Sequence, residues 1–181
     1  TASEHLLRLI NDILDMSRIE SGHIVLVKEL FSQREEVEKI VTRALALAGK
    51  KGQTFSHSFQ VRHDKCIGDV LRIHQILENL ISNAVKFTPE GGRVSLAVTE
   101  LPQKNEQIGW YRFVVADTGI GIAQEHQSRV FERFYTADQM RTGQNTGLGL
   151  AIVKALSEQM GHTAFAELKD GVFTVGVRWK L

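Results

Sequence analysis

The stretch "NLISNAVKF" carries Asn79, Asn83 and Lys86 inside what otherwise reads as an apolar helix. At about 100° per residue these three fall within an arc of roughly 60°. Ile73, Ile76, Leu77, Leu80, Ile81 and Ala84 occupy another side. A solvated helix face more often uses Glu, Lys and Gln, because Asn has poorer helix propensity and competes for backbone hydrogen bonds. The row either satisfies backbone groups in a neighbouring loop or offers donors and acceptors to a polar ligand.

Two further stretches have types and spacing suited to chemistry. "VVADTGIGI" places Asp117 at the end of an apolar strand, followed by Gly119 and Gly121, which let backbone approach a flat ligand closely. A carboxylate there can accept a hydrogen bond from an exocyclic amino group. An ordinary turn explains the same residues taken alone, and an aspartic-protease site needs a second Asp-Thr-Gly carboxylate that this chain lacks. "TGLGLAIVKAL" puts Gly147 and Gly149 at the opening of an apolar helix, where free N–H groups and the helix dipole favour a phosphate. Close helix packing is the competing explanation.

The elements that position these residues are legible from periodicity. The spacing predicts helices over 69–87, 124–134 and 148–160. Another begins with the capping box Ser32 and Glu35 and buries Val37, Ile40, Val41, Ala44 and Leu45. "QTFSHSFQV", "RVSLAVTEL", "WYRFVVAD" and "VFTVGVRWKL" read as strands of a sheet with one buried side. Helices and strands mix without strict alternation, so the expected class is α+β, helices covering one face of a sheet. The opening "SEHLLRLINDILDMSRIESG" sets Leu6, Ile10, Ile13 and Ser17 on one stripe with coiled-coil-like spacing. The polar run from Tyr135 to Thr146 is expected to be a mobile lid.

With 181 residues one core is expected. The formal charge of +1, with both signs interspersed, excludes the electrostatic footprint of a nucleic-acid binder. Cys66 is the only cysteine, which excludes an internal disulfide framework and fits a reducing compartment. No stretch approaches the roughly 18 apolar residues of a membrane-spanning helix, so no direct membrane contact is expected from this segment.

Taken in order, the motifs resemble the nucleotide-binding domain of bacterial sensor histidine kinases, in the superfamily with gyrase, the Hsp90 chaperones and the MutL repair proteins. "HQILENLISNAVKFTPEGG" resembles the N box, "DTGIGI" the first glycine box, "FERF" the F box and "TGLGLAI" the second glycine box, across roughly residues 28 to 181. The resemblance implies a two-layer α/β sandwich, a mixed, largely antiparallel sheet under three helices, binding ATP and Mg²⁺. It implies that Asn83 holds Mg²⁺ through its amide oxygen and that Asn79 and Lys86 contact phosphates. Asp117 would accept from the adenine amino group beside Gly119, Gly121 and Ile122, with Phe87 near the base or ribose. Gly147, Leu148, Gly149 and Leu150 would wrap the phosphates, and Phe131 and Phe134 would pack the base of the lid. Arg133 is either a phosphate ligand or an exposed helix arginine.

The resemblance also sets expectations for the rest of the molecule. Residues 1–22 look like the end of the second helix of a dimerisation hairpin, 23–31 like a linker and 32–181 like the catalytic domain. None of His5, His23, His57, His63, His74, His126 or His162 has the context of a phosphoacceptor. The chain is therefore expected to bind ATP without autophosphorylating alone. Its expected partners are a phosphoacceptor hairpin of the same or a partner kinase and, downstream, a response regulator receiver domain. Its expected place is the cytoplasmic portion of a membrane-anchored bacterial sensor, and "INDILDMSRIESG" resembles the hybrid kind with receiver domains downstream. "MGHTAFAELKDGVFTVGV" lacks the second glycine that usually follows the family's last helix and has a shortened final hairpin, with Gly171 where a Ser or Thr often supports the adenine-binding Asp. Those departures leave a second class of function, a regulatory domain acting by heterodimerisation with little ATP turnover.

Overall fold

The structure, a computed structural model, describes residues 2–101, 110–136 and 146–180. In chain order it runs α1 (Ala2–Glu20), β1 (Glu29–Ser32), α2 (Gln33–Lys50), β2 (Thr54–Gln60), β3 (Lys65–Gly68) and α3 (Val70–Phe87). It continues through β4 (Arg93–Leu101), β5 (Trp110–Asp117), α4 (Gln124–Gln127), α5 (Gly149–Gln159), β6 (Thr163–Lys169) and β7 (Val172–Lys180). The segment read as a lid falls mainly, at 137–145, outside the described residues.

Alternation of large apolar with small or polar residues gives the sheet one apolar face. Val94, Leu96 and Val98 on β4, Tyr111, Phe113 and Val115 on β5, and Val175, Val177 and Trp179 on β7 form that layer. The strands pair in the order β2-β4-β5-β7-β6, antiparallel except for β2 with β4. Helices α2, α3 and α5 bury their apolar stripes against it in one continuous core, the expected two-layer sandwich. Leu45, expected in the α2 stripe, is exposed, and Ala48 takes the buried place.

Two differences from the sequence reading have local causes. Part of the expected linker 23–31 is strand: Glu29–Ser32 pairs antiparallel with β3, whose four residues were too short to show alternation. The helix expected over 124–134 ends at Gln127. Beyond it the chain closes successive tight turns, Arg129 N–H to His126 O at 3.0 Å and Glu132 N–H to Arg129 O at 2.9 Å. Phe134 then adopts a φ of 56°, which no helix accommodates.

The caps fix where the helices begin and end. Ser32 Oγ accepts from Glu35 N–H at 3.2 Å and donates to Asp64 Oδ2 at 2.6 Å, while Asp64 Oδ1 accepts from Arg34 N–H at 2.8 Å. Asp69 Oδ1 caps α3, accepting from Arg72 N–H at 3.1 Å. At the far end of α3 the Lys51 ammonium donates to the carbonyls of Val85, Lys86 and Thr88 at 2.8, 2.8 and 3.1 Å. Those carbonyls lack intrahelical donors and carry the negative end of the dipole, so a lysine there answers both.

On α1 the stripe read as a coiled-coil seam, Leu6, Ile10 and Ile13, is exposed, with Leu7 and Leu14 beside it. Met16 and Ile19, off that stripe, are buried in the common core. Gln75 Nε2 donates to Asp15 Oδ2 at 2.9 Å, Gln159 Nε2 donates to Ile19 O at 2.8 Å, and Arg133 pairs with Glu20. The first helix is thus docked on α3 and α5.

Candidate functional site

A cleft of about 520 Å³ opens between α3 and the amino end of α5. Asn79, Asn83, Lys86 and Phe87 line it from α3; Ile122, Gly147, Gly149 and Leu150 line it from the segments after β5 and at the start of α5. The opposite stripe of α3, Ile73, Ile76, Leu77, Leu80, Ile81 and Ala84, is buried, so the polar row has no rotational freedom to leave the cleft. A Cβ on Gly149 would stand 3.3 Å from Asn83 Nδ2 and 3.9 Å from Asn79 Oδ1. Backbone at the start of α5 therefore lies directly across from the amides, and its N–H groups favour an anion in the same space.

An inner recess of about 60 Å³ adjoins the cleft, sharing Asn83, Phe87, Ile122 and Leu150 and reaching Asp117, Gly121 and Phe173. Asp117 is 7% exposed. Burial pushes its carboxyl above the ordinary carboxylate range, opposed by the Gly119 N–H that donates to Oδ1 at 2.9 Å. A buried acceptor beside apolar walls suits a flat heterocycle bearing an amino group.

Some expected site residues have other surroundings. Leu148 is 1% exposed and belongs to the core, with its N–H donating to Thr146 Oγ1 at 3.3 Å. A Cβ on Gly119 would stand 2.5 Å from Phe87 O, so this glycine admits the carbonyl end of α3. Gly147, with φ of 68°, brings its Cα against Phe134, where a Cβ would stand 2.7 Å from the carbonyl carbon. Phe131 packs against the core and Phe134 is 64% exposed; the segment 137–145, whose base they were expected to pack, lies outside the described residues. Gly171 sits in the β6–β7 turn with φ of 74° and open space around it; Phe173, two residues on, is the residue paired with Asp117. Sequence reasoning missed Asp12, Tyr135 and Thr146, which also line the cleft. Asp12 meets Thr146 across the fold, and no periodicity in either segment signals it.

Among the described residues no group of three or more His, Cys, Asp or Glu gathers to hold a metal by itself. No helix among them is long and apolar enough to cross a membrane.

Comparison with known proteins agrees with this architecture. The family described as histidine kinase-, DNA gyrase B- and HSP90-like ATPase matches residues 68–181. The chain is 40% identical over 163 residues to the sensor protein GacS of Pseudomonas syringae pv. syringae, covering 88% of this chain and 18% of that protein. It therefore spans about a fifth of the length of that relative. The full-length ShkA structure, solved with AMPPNP, superposes with a TM-score of 0.82 at 31% identity over 99% of this chain and 36% of that one. The histidine kinase ThkA, solved with the response regulator TrrA, shares the fold with a TM-score of 0.75 at 22% identity, over 97% of this chain and 48% of that one. The family match spans well over half of the chain, and the chain therefore belongs to the histidine kinase-, DNA gyrase B- and HSP90-like ATPase family.

Proposed function

We propose that this chain binds ATP with Mg²⁺ in the cleft and acts as the catalytic part of a two-component sensor kinase, passing the γ-phosphoryl to a histidine on a dimerisation hairpin. The observation that carries this reading is the row Asn79, Asn83 and Lys86 facing the amino end of α5, with a buried carboxylate at the inner end of the same cleft. Adenine enters the recess, donating its amino group to Asp117 and lying against Phe87, Ile122 and Gly121. The phosphates extend toward Asn79, Lys86 and the backbone of Gly147, Gly149 and Leu150.

The donor set fits a hard cation that arrives with its nucleotide. Magnesium takes oxygen ligands and keeps several waters, so one amide oxygen, from Asn83, suffices beside phosphate oxygens. When bound it neutralises charge on the transferring phosphoryl group. Lys86 adds positive charge on the same side, and the docked segments narrow the access of water.

Transfer is favoured over hydrolysis by the residue type at position 79. An amide at position 79 cannot activate water, and the neighbouring Glu78 pairs with Arg43 on the outside of the domain. The phosphoryl group goes on from the hairpin histidine to a receiver domain, a role supported by the ThkA neighbour solved with its response regulator. Residues 1–22 act as part of the hairpin and 32–181 as the catalytic unit, on the cytoplasmic face of a membrane-anchored sensor.

Calorimetric titration with ADP and a non-hydrolysable ATP analogue, each with and without Mg²⁺, tests the reading. Both should bind with Mg²⁺, and Asn83→Ala should remove most of the metal dependence. Asp117→Asn should weaken both by roughly tenfold or more, the worth of one hydrogen bond to a charged acceptor. Absence of binding by the unmodified chain at millimolar nucleotide would overturn it.

A further inference from the structure

We propose that Asp12 makes the docked form of α1 selective for a nucleoside diphosphate, because its carboxylate stands at the phosphate end of the cleft and opposes a third phosphate. The inference rests on the nucleotide reading above and adds a residue from outside all the sequence motifs.

Asp12 lines the outer cleft, whereas Asp117 lies in the inner recess. Its Oδ2 accepts from Thr146 Oγ1 at 3.0 Å, and the same Oγ1 accepts from Leu148 N–H at 3.3 Å, at the opening of α5. One residue further, Gly149 lies against Asn83 and Asn79. The carboxylate therefore sits with the amides and the helix terminus, not with the base.

Its position is set by the docking of α1. Met16 and Ile19 anchor α1 in the core, Asp15 is held by Gln75, Ile19 O by Gln159, and Glu20 by Arg133. Among the described residues that line the cleft the charged ones are Asp12 and Lys86, of opposite sign. A triphosphate brings about one more negative charge than a diphosphate to that end, and repulsion from a carboxylate in a partly desolvated cleft is stronger than in bulk water. Reciprocity follows: if docked α1 disfavours the triphosphate, the triphosphate disfavours docked α1. Movement of α1 then converts the domain between a form that retains product and one that admits substrate.

The test is calorimetry on the whole chain with ADP and AMP-PNP, both with Mg²⁺. Asp12→Asn should tighten AMP-PNP relative to ADP by about fivefold at low salt, with a smaller gain in high salt. Thr146→Val, which removes the hydroxyl's hydrogen bond to the carboxylate and leaves the charge in place, should shift the ratio the same way by less. Amide exchange over residues 12–20 should be faster with AMP-PNP than with ADP. An unchanged ratio in both variants, with ADP still bound, would sink the proposal and leave the nucleotide site standing. Weaker AMP-PNP binding by Asp12→Asn would also overturn it, since Asp12 would then be helping to hold the metal. Failure of the unmodified chain to bind ADP would remove the nucleotide reading itself and this inference with it.

Discussion

Asp117 occupies the inward slot that the alternation of β5 otherwise gives to Tyr111, Phe113 and Val115. A carboxylate there is costly because burial disfavours its charged form, and this is the signature of a position kept for binding. With its folded pKa raised, the domain is most stable below the ordinary carboxylate pKa and loses that increment as pH rises through the folded value. Asp117→Asn is therefore expected to melt higher at neutral pH while binding adenine nucleotide more weakly. His162 behaves in the opposite sense. It stacks on Trp179 at 3.8 Å between ring centroids, and burial lowers its pKa to about 4, with a smaller push from Lys28 and an opposing Gly161 backbone bond. Its neutral form is the buried one, so stability is intact above pH 6.5 and falls progressively as pH drops from 6.5 toward 4. Urea midpoints at pH 7 and pH 5 should differ less in His162→Gln than in the parent. His162, just beyond the last helix, is thus a packed ring, a role that residue identity alone did not reveal.

At the level of elements, α3 was readable because its period is local. Its apolar stripe and polar row come from spacing within one helix, and its start follows from the Asp69 cap. Strands β4 and β5 were readable for the same reason, β5 alternating over its full length and β4 through Val98. Elements defined by partners were not: β1 and β3 exist by pairing with each other, and the segment after α4 is shaped by Gly147 pressing on Phe134. That contact makes a specific prediction. Gly147→Ala places a Cβ 2.7 Å from backbone at a φ of 68°, so it should destabilise by about 1–3 kcal/mol in urea unfolding and weaken ADP binding as the rim shifts. Full stability with full affinity would mean that the close approach is dispensable.

Across the whole molecule the cleft draws on α3, α5, the end of β5 and the docked α1, all built on one core. Ligand binding should therefore register as global stabilisation. MgADP at a hundred times its dissociation constant is worth about 2.7 kcal/mol, which in a domain of this size raises Tm by roughly 5–10 °C. Asn83→Ala should lose most of that shift. Cys66 on β3 is buried in the common core, and burial chiefly pushes its thiol up to about 12. Sequence by itself determined the apolar periods, the helix bearing Asn79, Asn83 and Lys86, the strand ending in Asp117 and the family resemblance, because these depend on neighbours a few positions away. Only the tertiary structure decided that Leu148 is core, that Gly119 and Gly147 serve chain crossings, and that Asp12 enters the cleft. Those outcomes depend on which distant segments share a space, such as Asp12 and Thr146, 134 positions apart, and local spacing carries no record of that.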